Sequence, residues 1–138
     1  MKHPQLPTKR VLTLDAAKQI AAAAYAEAKK NNWAVVVAIV DDGAHLLYLE
    51  RMDSAQIASV VVAQEKAFTA VRFRRPSKAL EEAVSAGRNV VMTLPGATPI
   101  EGGLPIIVEG DLVGGIGVSG GTSAQDSIVA AAGLADFV

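Results

Sequence analysis

The chain has 138 residues, close to the commonest length of a single domain, and 51% of them are hydrophobic while only 4% are aromatic. Its 13 basic and 14 acidic residues give a net charge of -1, so no overall electrostatic field would recruit nucleic acid or an anionic membrane. The absence of cysteine excludes disulfides, thiolate metal sites and iron–sulfur clusters.

Residues 1–12 show little hydrophobic periodicity and contain two of the six prolines. We interpret them as an N-terminal arm that precedes one domain, residues 13–138. The arm lacks the apolar core of a secretory signal, and no stretch of the chain approaches the roughly 20 apolar residues of a membrane span. We therefore expect a cytoplasmic location and no membrane partner.

The first predicted elements are a helix and a β-hairpin. Apolar residues recur at helical spacing from Asp15 to Lys30, and Thr13 is the predicted N-cap. The run from Ala34 to Val40 is rich in β-branched residues without alternation, which is typical of a central strand covered on both faces. Asp42-Gly43 then predicts a tight turn, and His45 to Glu50 is the expected returning strand.

The middle of the chain predicts two consecutive helices. Ser54 is the expected cap of a long helix from Ala55 to Arg74, and Pro76 ends it. A shorter helix is predicted from Ser77 to about Gly87.

The last third predicts strands followed by a final helix. Residues 89–92 are expected to form a short strand or extended segment, and strands at 104–109 and 112–118 flank a second turn. Thr122 and Gln125 fit a capping box at the start of the last helix. Two hairpins separated by helices indicate an α+β fold, with a mostly antiparallel sheet of about five strands and helices packed on it.

Glycine is concentrated near the end of the chain, with eight of the 12 glycines between positions 102 and 121. The stretch 115–120 matches G-x-G-x-x-G, but its strand emerges from a hairpin, so the parallel β-α-β unit of a dinucleotide site is excluded. Two interpretations remain open. Gly102-Gly103 and Gly120-Gly121 lie in loops where backbone can approach an anionic ligand, the second pair at a helix N-terminus. The strand glycines Gly114, Gly115 and Gly117 can instead serve close packing of a helix.

Three charged residues occupy unusual positions. Asp41 and Arg51 each end a predicted strand, where an Asp that stabilises the turn and an exposed Arg are the alternatives to a binding role. Lys66 lies on a mostly apolar helix face, so its ammonium either extends to water or is held near an anion, in which case it can bind a ligand carboxylate or act as a base.

The chain has only two histidines, His3 and His45, and their spacing fits no catalytic metal site. An axial ligand for haem would have to come from one of these, from Tyr25 or Tyr48, from a methionine, or from weak oxygen ligation. The residues alone leave this choice open.

Several motifs in order along the chain resemble those of the GlcG/HbpS-like family, the haem-binding group that also includes the C-terminal part of PduO-type proteins. The resemblance covers residues 13–137 or so. The matching segments are Val40-Asp41-Asp42-Gly43, Arg51-Met52-Asp53-Ser54-Ala55, Lys66-Ala67-Phe68-Thr69-Ala70, Gly102-Gly103-Leu104-Pro105-Ile106, and Gly114 to Gly121 followed by Gln125-Asp126.

The resemblance implies a profilin-like fold, homo-oligomers from dimers to octamers, and haem as the cofactor. It implies a pocket near the Gly102 loop, Lys66 and Asp126. No residue that matches a family motif is assigned as the iron ligand, and Thr93 or Thr98, in the loop before Gly102, could provide weak oxygen ligation. The expected binding residues are Arg51, Lys66, Thr69, Thr98, Gly102, Gly103, Pro105, Gly120 and Gly121.

Three functions remain open on the sequence. The first is binding of haem or a related tetrapyrrole. The second is an isomerase-, tautomerase- or lyase-like enzyme, or a binding protein, for a small carboxylated metabolite, with Lys66 and Arg51 on the anion and Asp41 or Asp126 as the proton-transfer group. The third is an accessory oligomer. Catalysis is left open, and an anionic small molecule is the expected ligand.

Overall fold

In the computed structural model, which describes residues 2–138, a four-stranded antiparallel sheet is covered by helices. Its strand order is β2-β1-β4-β3, which confirms the α+β class. None of the helices in this range is long and apolar enough to cross a membrane. The elements are α1 (Leu14–Lys30), β1 (Val36–Asp41), β2 (Leu46–Arg51), α2 (Ala58–Phe73), α3 (Ser77–Ser85), a 3-10 helix (Asn89–Thr93), β3 (Gly103–Val108), β4 (Asp111–Ser119) and α4 (Ser123–Leu134).

The sheet has one strand fewer than the expected five. Residues 89–92 belong to the 3-10 helix, because their backbone groups bond locally rather than to a neighbouring strand. Val91 N–H donates to Arg88 O, and Leu94 N–H donates to Val91 O. Val91 is buried, so the apolar character that predicted a strand serves packing instead.

The start of α2 also differs from the prediction. The helix begins at Ala58, and Ile57 occupies the N-cap position without a side-chain cap. Ser54 lies in a turn closed by the Ala55 N–H, which donates to Met52 O. Ser54 therefore does not cap the helix and is left on the surface between β2 and α2.

The core lies on both faces of β1. Val37 and Ile39 pack with the alanine-rich stripe of α1 and with α4, whereas Val36 and Ala38 pack against α2. All four side chains are buried, as the non-alternating β-branched run predicts.

Close approach of α2 to the sheet depends on glycine in β4. A Cβ added at Gly117 would overlap the carbonyl of Ala63, and one at Gly115 would lie 2.9 Å from Ala67 O. These strand glycines therefore serve helix packing rather than a ligand.

The arm lies across the end of the sheet that carries both hairpin turns. Lys9 pairs with Asp42 at 2.7 Å, and Arg10 contacts Glu109 and Asp111. Leu12 is buried and anchors the arm in the core. The prediction of a separate arm thus corresponds to a segment without helix or strand that is held by side-chain contacts.

Candidate functional site

Lys66 and Asp126 form a buried ion pair inside the fold. Lys66 is 2% exposed, and its Nζ donates to Asp126 Oδ2 at 3.0 Å and to the carbonyl of Val118 at 2.9 Å. The other oxygen of Asp126 accepts from the N–H of Gly121 at 2.9 Å. The anion beside Lys66 is therefore a side chain of the same domain, and the ammonium does not extend to water.

The Gly102-Gly103 loop packs directly against this pair. Gly102 has φ of +132°, and a Cβ there would lie 2.9 Å from Lys66 Nζ. The N–H of Gly103 donates to Ser77 Oγ at 2.9 Å. Pro105 lies in the edge strand β3, where a missing N–H is tolerated. The loop thus lies next to Lys66 as expected, but its backbone is buried.

The two predicted threonines bond to each other. Thr69 Oγ1 donates to Glu65 O at 2.7 Å and accepts from the backbone N–H of Thr98 at 2.8 Å. The Thr93 hydroxyl donates to Val90 O. These hydroxyl groups stabilise a helix and a loop, and none of them lines the clefts described below.

Asp41 stabilises the β1–β2 turn. One carboxylate oxygen accepts from the backbone N–H groups of Gly43 and His45, both at 2.9 Å. Burial raises the pKa of Asp41, but these two donors and the neighbouring His45 ring lower it by more, so the pKa lies below its ordinary value. Asp41 therefore remains a carboxylate engaged in the turn.

An open cleft of about 590 Å³ lies between the C-terminal part of α1 and the end of β2. Arg51, the last residue of β2, lines it together with Tyr25, Lys29, Met52 and Asp53. Tyr25 and Lys29 are four residues apart on α1 and so share a face, with Lys29 Nζ 5.9 Å from the centre of the Tyr25 ring. Within residues 2–138, neither Lys29 nor Arg51 forms an ion pair.

A second cleft of about 330 Å³ adjoins the first and shares Ala34 and Ser54 with it. We call the two together the groove, with a charged half beside Arg51 and an amide half beyond Ala34. Among residues 2–138, none of the side chains that line the amide half is ionisable. It is lined by Asn32, Trp33, Gln56, Gly120, Gly121 and Gln125.

The groove brings together Arg51, Gly120 and Gly121 from the predicted binding set. Tyr25, named from the sequence only as one possible haem ligand, also lines it, whereas Lys29 and Trp33 were missed by sequence reasoning. The available signal was the scarcity of aromatic residues, since the single Trp and one of two Tyr of the chain lie here. Their position beside a cation, however, depends on α1 packing near β2.

The charged half contains two groups able to bind iron, the Tyr25 hydroxyl and the Met52 thioether. The Met52 Sδ accepts weakly from Val35 N–H at 3.5 Å, whereas the Tyr25 hydroxyl has no partner among residues 2–138. His45 lies in the β1–β2 turn beside Asp41, outside the groove.

The second tyrosine is less suited to bind iron. Tyr48 donates to Glu50 at 3.0 Å, and this hydrogen bond, with burial and the Glu50 charge, raises the pKa of the phenol. Its hydroxyl therefore stays protonated. Among the described side chains, no group of three or more His, Asp or Glu is arranged to hold a metal ion.

The chain is similar to several known proteins. A family model described as "Haem degrading protein HbpS-like" matches residues 12–135. The protein GlcG of Escherichia coli K12 is 47% identical over 114 residues, which cover 83% of this chain and 85% of GlcG. The crystal structure of HbpS superposes with a TM-score of 0.90 at 34% identity, covering 100% of this chain and 98% of HbpS. A PduOC:heme complex gives a TM-score of 0.83 at 29% identity over 91% of this chain and 94% of that one.

Proposed function

This chain belongs to the HbpS-like family, and on that premise we propose that it binds haem or a related tetrapyrrole in the groove beside Arg51. One observation carries the proposal. Two cations, Lys29 and Arg51, line one open cleft with Tyr25, and neither forms an ion pair within residues 2–138. A haem carries two carboxylates, an apolar ring and an iron that needs a ligand. The charged half of the groove offers two cations for the carboxylates and two side chains able to bind the iron.

The cations supply the electrostatic part of the proposed site. A guanidinium binds a carboxylate through two parallel hydrogen bonds, and Arg51 has no carboxylate partner of its own within the described residues. Lys29 is four residues from Tyr25 on α1 and adds a second positive charge to the same cleft. Two propionates can therefore be bound without breaking any existing ion pair.

Tyr25 would hold the iron of a bound haem, with Met52 as the alternative. Phenolate and thioether groups both serve as haem ligands in proteins. Tyr25 is favoured because its hydroxyl is free, whereas the Met52 sulfur already accepts a weak hydrogen bond. Haem bound there would supply a redox-active iron.

The buried ion pair of Lys66 and Asp126 is a poor alternative binding site, which supports the groove as the site of ligand binding. A ligand carboxylate could reach the Lys66 ammonium only by displacing Asp126, and breaking a buried ion pair costs about 3–5 kcal/mol. We therefore propose that this pair braces the fold, and we confine the proposal to ligand binding rather than catalysis.

Haem titration followed by Soret absorbance tests the proposal. We expect the wild-type protein to saturate at micromolar haem. The double variant Lys29→Gln/Arg51→Gln should bind haem at least about tenfold more weakly, since each substitution removes a charged hydrogen bond to a propionate. The matched control, Lys18→Gln/Arg88→Gln, removes the same two charges at exposed positions outside the groove. No spectral change in the wild type, or equal affinities in the two variants, would refute the proposal.

A second candidate function is binding of a small carboxylated metabolite in the same half of the groove. It is favoured by Glu50 and Asp53, which place negative charge beside Lys29 and Arg51. Such a mixed site suits a hydroxy acid, whose hydroxyl can donate to a carboxylate. A panel of small organic acids is expected to raise the Tm of the wild type but not of Arg51→Gln. Soret binding without any response to the acids would exclude this candidate.

Self-association, which the family resemblance implies, remains a prediction. Ile57, at the N-cap of α2, and Val61, one turn into the helix, are 79% and 61% exposed, and exposed apolar groups of this kind are common at subunit contacts. Light scattering after size-exclusion chromatography is expected to give a mass above that of one chain. A monomer mass would contradict it.

A further inference from the structure

The two halves of the groove differ in the chemistry they present. The charged half contains Lys29, Arg51, Glu50 and Asp53. The amide half contains three carboxamide side chains and the only tryptophan of the chain, and it has no ionisable group. A ligand that spans both halves therefore meets charge at one edge and neutral hydrogen-bonding groups at the other.

The polar groups of the amide half are available to a ligand. Gln56 uses only its NH2 group, which donates to Ser59 at 3.3 Å, and Gln125 uses only its carbonyl oxygen, which accepts from Thr122 N–H. Asn32 and the Trp33 indole form no side-chain hydrogen bond within residues 2–138. Since every buried polar side-chain atom of the described residues has a partner, these unpaired groups face solvent.

We propose that the amide half is a subsite for uncharged hydroxyl or carboxamide substituents, so that the ligand is a tetrapyrrole with carboxylates on one edge and hydrogen-bonding groups on the opposite edge. The inference rests on the proposed function. It narrows that function, because protohaem carries vinyl groups at the edge opposite its propionates.

The physical reason is the penalty for covering polar groups without replacing their water. A vinyl edge over Asn32, Gln56 and Gln125 removes water from their free donors and acceptors and offers nothing in return. A hydroxyl both donates and accepts, as a carboxamide does, so it can pair with either end of each side chain. Sites built from hydrogen-bonding groups reject ligands that lack the matching group more strongly than apolar pockets reject extra groups.

Three haems that share the propionate edge provide a direct test. Haematohaem carries hydroxyethyl groups where protohaem has vinyl groups and mesohaem has ethyl groups. We expect the wild-type protein to bind haematohaem roughly fivefold to tenfold more tightly than mesohaem, measured by Soret absorbance. Quenching of Trp33 fluorescence is expected with all three, because this single tryptophan lines the amide half.

Two variants localise the preference. Gln56→Met removes one amide, and Asn32→Gly removes another while keeping the backbone at φ of +59°, which glycine adopts readily. Both are expected to bring the ratio of haematohaem to mesohaem affinity close to one. Gln19→Met, at an exposed position of α1 outside the groove, is the matched control and should keep the wild-type ratio.

The possible results distinguish failure of the amide subsite from failure of haem binding itself. Equal affinities for the three haems in the wild type, or an unchanged ratio in both variants, would overturn the subsite while leaving haem binding intact. Absence of any Soret change with all three haems would overturn the proposed function and the subsite with it.

Discussion

The interior pair of Lys66 and Asp126 and the surface pair of Lys29 and Arg51 use charge in opposite ways. In the interior, each charge faces a partner from another helix, and both residues are 2% exposed. At the surface, two cations share a cleft and have no ion-pair partner among the described residues. The first arrangement is paired within the chain. In the second, neither cation forms an ion pair with the Glu50 or Asp53 carboxylate of the same cleft, so both remain available to an anionic ligand.

This contrast shows that an unusual charge does not by itself mark a binding site. Lys66 is unusual in sequence because it interrupts an apolar helix face, yet its ammonium already donates to Asp126 and to the Val118 carbonyl. Arg51 is ordinary in sequence, an exposed arginine at the end of a strand, yet it lies in the groove. The useful criterion is whether the fold already supplies the partner of the charge.

The largest expected effect follows from breaking the interior pair. Lys66→Met should lower the free energy of unfolding by about 3–5 kcal/mol, because it leaves the Asp126 carboxylate buried without its counterion. Urea denaturation measures the loss. The double variant Lys66→Met/Asp126→Leu should recover part of it, since no buried charge remains. If Lys66→Met lowers the free energy of unfolding by less than about 1 kcal/mol, the ion pair does not stabilise the fold as proposed.

A smaller effect is expected where α2 packs on glycine. Gly117→Ala adds a methyl group that overlaps the carbonyl of Ala63, and overpacking of this kind costs about 1–3 kcal/mol. Urea denaturation measures the change, and haem affinity should stay at the wild-type value. Weaker haem binding with unchanged stability would instead assign this glycine to the ligand site.

The smallest effect concerns the turn carboxylate. Asp41→Asn keeps an oxygen that accepts from Gly43 and His45 but loses the charge, so we expect a loss of a few tenths of a kcal/mol at neutral pH. Because the pKa of Asp41 is lowered by folding, its contribution is present above the ordinary aspartate pKa of about 3.9 and is lost as the pH falls through the lower folded value. The difference between wild type and variant in urea unfolding should therefore vanish at low pH. A difference that grows on acidification would contradict this assignment.

Local patterns predicted most of the fold. The apolar stripe of α1, the buried run of β1 and the capping box at Thr122 are short-range signals, and all three are present. The prediction of a strand or extended segment at residues 89–92 was wrong. A short apolar run fits either an extended strand or a 3-10 turn, and its contacts with the rest of the fold decide between the two. The prediction that Ser54 caps α2 was also wrong, because the chain makes a turn at Met52–Ala55 before the helix begins at Ala58.

The site was harder to predict than the fold. Sequence reasoning placed Arg51, Gly120 and Gly121 in the binding set, and these three do line the groove. It could not foresee that Lys29 and Trp33 would join them, because α1, the loop after it and β2 meet only through tertiary packing. The family resemblance placed Lys66 and Asp126 near one pocket, but it did not show that the two pair with each other across the 60 residues that separate them in the chain.

The most direct test of the account measures stability and ligand binding on the same two variants, at a temperature where both are folded. Arg51→Gln should lower haem affinity by about tenfold and change the free energy of unfolding by less than about 0.5 kcal/mol. Asp126→Asn, which keeps an acceptor for Gly121 but leaves Lys66 without its counterion, should lower stability by several kcal/mol and leave haem affinity unchanged. The reverse result, with haem binding lost in Asp126→Asn and retained in Arg51→Gln, would contradict the assignment of the groove as the site.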